Sequence, residues 1–205
     1  MTTSRDFATA FARCPLVAIL RGVHPDEVVQ VGMVLVEAGF TLIEVPLNSP
    51  EPIRSIGLLA EAVGDRAMVG AGTVLNVEEV EAVAGAGGRI IVSPNVNTEV
   101  IRATRAQGLT SLPGYFTPSE AFAALAAGAD ALKLFPAEAA SPSVLKAQSA
   151  VLPKGTRKLV VGGISSDNMQ PWRDAGADGF GIGSALYKSG KTIEAIRDDA
   201  KRFIG

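Results

Sequence analysis

Short apolar runs alternate with amphipathic stretches along the chain, a pattern that predicts repeated strand–helix units. The expected strands are Leu16–Leu20, Leu42–Pro46, Ala67–Gly70, Arg89–Val92, Thr110–Leu112, Ala131–Leu134, Lys158–Val161 and Gly179–Ile182. Glycine recurs where each intervening helix should end, at Gly39, Gly64, Gly87, Gly108, Gly128, Gly155 and Gly176, with spacings of 20 to 27 residues. A left-handed C-cap favours glycine because no Cβ opposes positive φ. Pro25-Asp26-Glu27, Ser49-Pro50-Glu51 and Thr117-Pro118-Ser119-Glu120 carry helix-start chemistry after strands one, two and five. Thr3–Arg13 reads as an extra N-terminal helix that closes the bottom of the fold. Strictly alternating βα units imply a parallel sheet. Eight of them predict an α/β architecture, a (β/α)8 TIM barrel formed as one domain over residues 1–205. The rival is an open doubly wound sheet. It would carry a glycine fingerprint after its first strand, where Arg21-Gly22-Val23-His24 stands instead.

Two charges interrupt this pattern. Strand six reads Ala131-Leu132-Lys133-Leu134-Phe135-Pro136 and strand two Leu42-Ile43-Glu44-Val45-Pro46. Both faces of a barrel strand are largely dry, and an unpaired buried charge costs several kcal/mol unless it is neutralised or partnered. One reading is a structural ion pair across the barrel between Lys133 and Glu44. The other is chemical: burial lowers an amine's pKa, and a neutral amine attacks a ketone. A carboxylate separated from it by water or substrate then moves the protons. A close Glu44 anion would raise the lysine again, so the chemical reading requires that separation.

Composition narrows the chemistry further. Hydrophobic residues make up 47% of the 205-residue chain and aromatics only 5%, so the core is built from Ala, Val, Leu and Ile. With 19 basic and 21 acidic side chains, interspersed, there is no footprint for nucleic acid or an anionic membrane. Cys14 and His24 are the single cysteine and histidine, which argues against a disulfide, a His-based triad or a multi-histidine metal site. No apolar run approaches the roughly 18–20 residues that span a bilayer, and the N-terminus lacks a signal-peptide stretch. A cytoplasmic protein without cofactor or metal is the expectation.

Barrel enzymes bind substrate at the C-terminal ends of the strands, with phosphates after strands seven and eight. Those ends read Val161-Gly162-Gly163-Ile164 and Gly181-Ile182-Gly183-Ser184. Paired glycines let backbone N–H groups approach an anion, so Gly162, Gly163, Gly183 and Ser184 are candidate phosphate ligands. Arg21 after strand one and Thr73 after strand three offer a second anion site, suited to a carboxylate. The plainer alternative is a surface arginine and a capping threonine. Pro94, Pro113 and Pro136 are expected to close strands four, five and six, and Phe135 either packs over the reacting centre or sits on the rim.

Ile19-Leu20-Arg21-Gly22, Glu44-Val45-Pro46-Leu47-Asn48-Ser49-Pro50, Val69-Gly70-Ala71-Gly72-Thr73-Val74-Leu75, Ser93-Pro94-Asn95, Leu112-Pro113-Gly114, Leu132-Lys133-Leu134-Phe135-Pro136 and Gly162-Gly163-Ile164 occur in order from about Pro15 to Tyr187. In these motifs the chain resembles the class I keto-deoxy-phosphogluconate/galactonate aldolases. The resemblance implies reversible cleavage of a phosphorylated keto acid to pyruvate and D-glyceraldehyde 3-phosphate, without metal, by a homotrimer. It implies Lys133 as Schiff-base lysine, Glu44 as acid/base, Thr73 as a pyruvate contact and the glycine loops with Ser184 as phosphate ligands. The gluconate branch typically has Leu-Arg-Thr after the Glu motif and Thr before the glycine pair. This chain has Leu47-Asn48-Ser49 and Val161. Both departures resemble the galactonate branch, whose substrate differs only at C4, and leave Arg21 to hold the carboxylate. The gluconate epimer as main substrate, a metal-dependent aldolase and a non-catalytic phosphate-binding barrel are the alternatives.

Overall fold

The computed structural model describes residues 6–204. Helix α1 (Phe7–Arg13) starts at Asp6, whose carboxylate accepts from the Thr9 N–H; the expected start at Thr3 lies outside the described residues. Strands β1 (Leu16–Ile19), β2 (Leu42–Pro46), β3 (Met68–Gly72), β4 (Ile90–Val92) and β5 (Thr110–Leu112) follow. Then come β6 (Gly114–Tyr115), β7 (Leu132–Leu134), β8 (Lys158–Val161) and β9 (Gly179–Ile182). All pairings are parallel, in the order β5-β4-β3-β2-β1-β9-β8-β7-β6. Most expected boundaries hold within a residue; the third strand runs two residues further, to Gly72.

Nine strands build an eight-stranded barrel because Pro113 splits the fifth. Proline has no N–H to give a ladder. Its carbonyl still accepts from Lys133 N at 2.9 Å, and Ser111 O accepts from Asp130 N at 3.0 Å. The run 110–115 therefore bonds β4 on one side and β7 on the other, which closes the ring. Pro113 closes β5, as the sequence suggests, and strand pairing resumes at Gly114.

Helices α2 (Pro25–Ala38), α3 (Pro52–Val63), α4 (Val77–Gly85), α5 (Thr98–Ala106), α6 (Pro118–Ala127), α7 (Pro142–Ser149), α8 (Met169–Asp174) and α9 (Ile193–Ile204) form the outer layer. Their ends follow the expected chemistry in most units. Thr117 and Glu120 form a capping box on α6, and all seven glycines of the repeat have positive φ. The second loop departs from it. Glu51, at φ 39°, precedes α3, and Ser49 does not cap it; its Oγ accepts from Gly22 N at 3.0 Å, tying the β1 loop to the β2 loop.

The core separates into two layers. One lies between the strands and the helices. The other fills the barrel, with Val17, Leu42, Met68, Ile90, Leu112, Ala131 and Leu159 meeting Phe7 and Phe11 of α1. Helix α1 thus plugs the bottom. Strand side chains alternate faces, so the residue two positions beyond an inward one also points inward. That rule places Glu44 above Leu42 and Lys133 above Ala131, both inside the barrel. Among the described residues no helix is long and apolar enough to cross a membrane.

Candidate active site

Four strand positions separate β2 from β7 in the barrel order, so Glu44 and Lys133 project from opposite walls. Both are buried, at 4% and 8% exposure. They share a chamber with Val17, Ile19, Val92, Leu112, Leu159, Val161 and Gly181, whose free volume of about 10 Å³ is room for about one water. No ion pair within 4.0 Å joins them, and Glu44 Oε2 is buried without a hydrogen-bond partner. The structural ion pair of the plainer reading is absent. A buried carboxylate and a buried amine face each other across a small apolar gap.

The electrostatics follow from that placement. Burial lowers Lys133 from 10.5 to about 8, helped by the Arg21 charge and opposed by Glu44. Burial also raises Glu44 from 4.5 to about 7, against the lowering pull of Lys133 and Arg21. Each group is pushed toward its neutral form, which suits an amine nucleophile and a carboxyl that exchanges protons near neutral pH. The Lys133 Nζ also lies 4.7 Å from the centroid of the Phe135 ring, which lines the mouth above the chamber.

The chamber adjoins a mouth of about 400 Å³: Ile19, Val161 and Gly181 line both spaces. Arg21, Phe135, Gly162, Gly163, Gly183 and Ser184 are on the mouth's wall. The structure therefore brings eight of the nine sequence-derived site residues to two adjoining cavities: Lys133 and Glu44 in the chamber, Val161 on the wall the two share, and Arg21, Gly162, Gly163, Gly183 and Ser184 at the mouth. Thr73 lines neither cavity. It follows Gly72 at the end of β3 with φ 59°, a conformation that costs a β-branched residue of order 1–3 kcal/mol and clusters at ligand clamps.

Several site residues are not evident from sequence motifs. Asn48 Oδ1 accepts from Arg21 Nη1 at 3.0 Å and so orients the guanidinium over the mouth. Gly72 is required because a Cβ there would overlap the Glu44 carboxyl. Its position between Ala71 and Thr73, beside a strand carrying a buried acid, is the sequence signal that could have indicated this. The Glu138 carboxylate packs on Gly162 and Gly163, where a Cβ at Gly162 would collide with it. The glycine pair therefore makes room for an internal side chain as well as for loop conformation. The Tyr187 hydroxyl, at the mouth, donates to Glu27 Oε1 at 2.7 Å. No cluster of three or more His, Cys, Asp or Glu that could hold a metal occurs among the described residues.

Comparison with known proteins agrees with this architecture. Residues 8–200 match the family described as Aldolase: KDPG and KHG aldolase. The chain is 46% identical over 192 residues to 2-dehydro-3-deoxy-6-phosphogalactonate aldolase of Escherichia coli K12, covering 94% of each protein. It is 31% identical over 172 residues to 2-dehydro-3-deoxy-phosphogluconate aldolase of Dickeya dadantii, covering 83% of this chain and 78% of that one. A solved structure described as native KDPGal superposes with a TM-score of 0.92 at 46% identity, over 94% of this chain and 93% of that one. The 2-keto-3-deoxy-6-phosphogluconate aldolase of Zymomonas mobilis ZM4 gives 0.87 at 26% identity, over 98% and 95%. The chain, an aldolase by these similarities, belongs to the KDPG and KHG aldolase family.

Proposed function

We propose that this chain is a class I aldolase that reversibly cleaves 2-dehydro-3-deoxy-6-phosphogalactonate to pyruvate and D-glyceraldehyde 3-phosphate. The observation that carries the reading is the unpaired, buried Lys133 facing Glu44 beneath an anion-suited mouth. The Lys133 amine adds to the C2 ketone, and loss of water gives the protonated imine. Removal of the C4 hydroxyl proton lets the C3–C4 bond break; its electron pair passes through C3 to the iminium nitrogen, leaving an enamine. Glyceraldehyde 3-phosphate departs as the aldehyde. Protonation at C3 and addition of water then release pyruvate and restore the amine. Glu44 moves these protons, through a water held in the gap between it and Lys133. No cofactor or metal enters the scheme.

In the mouth, Arg21 holds the substrate carboxylate, with Asn48 orienting it; Thr73, which follows the glycine packed on the Glu44 carboxyl, contacts the pyruvate portion from outside the mouth's wall. Gly162, Gly163, Gly183 and Ser184 hold the phosphate through backbone N–H groups and the serine hydroxyl. The whole chain, 1–205, is one barrel domain in this reading. It acts as a cytoplasmic homotrimer, and the exposed Leu75, Phe122, Val144 and Val151 supply apolar surface for subunit contacts.

The C4 preference rests on Val161, which offers no hydrogen bond to a substrate hydroxyl at the neck of the site. Turnover measured as pyruvate release should favour the galactonate epimer, with residual activity on the gluconate epimer. Val161→Thr adds a hydroxyl there and should move the epimer ratio toward gluconate by about 1–3 kcal/mol, roughly 5- to 150-fold. An unchanged ratio would place the discrimination elsewhere. A wild-type preference for the gluconate epimer would overturn the substrate assignment.

A further inference from the structure

The proposed reaction requires two distal recognitions: the phosphate at C6 and the hydroxyls between it and the imine. The glycine loops provide for the first. Val161, at the neck, offers nothing to the second. Within the mouth, Glu138 is the only carboxylate among the lining residues. It lies on the 3-10 turn Ala137–Ala139, two residues beyond Pro136, and so directly follows the strand that carries Lys133. Its side chain lies over Gly162 and Gly163, the loop assigned to phosphate, so closely that a Cβ at either glycine would meet it. Among the described residues it has no hydrogen bond or ion pair. The Tyr187 hydroxyl, another polar group of this wall, is already committed to Glu27.

An uncommitted carboxylate beside an apolar neck is chemically suited to accept hydrogen bonds from vicinal hydroxyls, because a charged acceptor gives the stronger class of such bonds. It is poorly placed to bind the phosphate itself, which shares its sign. We infer that Glu138 is a specificity-determining residue that accepts a hydrogen bond from the hydroxyl carried by the aldehyde half of the substrate, the hydroxyl at C5 of the keto acid. This rests on the aldolase reading above and adds to it the group that holds the leaving half in line while the C3–C4 bond breaks. Gly162 and Gly163 are then small so that this side chain can lie over them.

The test runs the reaction in the direction of condensation. Pyruvate is paired with D-glyceraldehyde 3-phosphate or with its 2-deoxy analogue, 3-phosphopropanal, using wild type, Glu138→Ala and Glu138→Gln. Glu138→Ala should lower kcat/KM for the hydroxylated aldehyde by about tenfold or more, and change it less than about twofold for the deoxy aldehyde. Glu138→Gln keeps an acceptor oxygen and should retain most of the discrimination. Borohydride trapping of pyruvate on Lys133 should be unaffected in both variants, since pyruvate lacks the hydroxyl. An equal loss on both aldehydes, or tighter use of both because a negative charge has left the phosphate's neighbourhood, overturns the inference. Absence of trapping in the wild type would instead defeat the aldolase mechanism, so the two failures are distinguishable.

Discussion

Lys133→Met is expected to reduce turnover by about 10⁴-fold or more while the barrel stays folded. Methionine matches the length and apolar stem of lysine, so the chamber loses only its amine. What remains is Glu44, a buried acid, and leaving one charge of a buried pair alone ordinarily destabilises by about 3–5 kcal/mol. Here the acid has an escape, because burial already raises it to about 7. A carboxyl whose folded pKa exceeds its unfolded value contributes stability below the unfolded value, and loses it as pH rises through the folded one. Removing Lys133 also removes the largest influence that lowers Glu44. The variant should therefore melt close to wild type near pH 5 and fall progressively behind as pH rises past 7. Thermal melts across that range, run beside the activity assay, separate lost chemistry from lost fold. A variant that keeps turnover within tenfold of wild type would remove Lys133 from the reaction.

Glu44→Gln is expected to cost about 10²- to 10⁴-fold in kcat, the usual range for a positioned acid/base. Its pH profile carries the more specific signature. In wild type, kcat/KM should rise with pH toward about 8, as the Lys133 ammonium gives up its proton. The Glu44 charge holds this lysine upward, against burial and Arg21. With glutamine in its place the lysine falls further, so the rise should move to lower pH even though the maximum rate drops. A shift to higher pH, or an unmoved profile with full activity, contradicts the assignment of a carboxylate that acts on Lys133 across the gap.

The fold was legible because its determinants are local. Apolar runs mark strands, glycines with positive φ end helices, and alternation forces a parallel barrel. Lys133 and Glu44 were legible for a related reason: a charge in a dry strand violates the pattern, and period-two geometry predicts which way it points. Thr73 was expected to touch substrate from its place after β3; the structure gives it a left-handed backbone at the rim instead of a place on either cavity's wall. Pairings between loops distant in sequence were not legible. Ser49 bonds Gly22 N across 27 residues, where its neighbours Pro50 and Glu51 had suggested a helix cap. Asn48 binds Arg21 over the same separation, and only the barrel brings them together. Glu138 escaped notice because an acidic residue in an exposed loop breaks no pattern; its meaning lies in the two glycines beneath it.

The central claim is that one buried amine, Lys133, becomes covalently bonded to the substrate ketone. Incubating the protein with pyruvate and borohydride reduces that imine to a stable secondary amine, and peptide mass spectrometry locates it. The account predicts a single lactyl adduct, on Lys133, that is lost in Lys133→Met. An adduct confined to other lysines, or none on a protein that still turns over substrate, would contradict it.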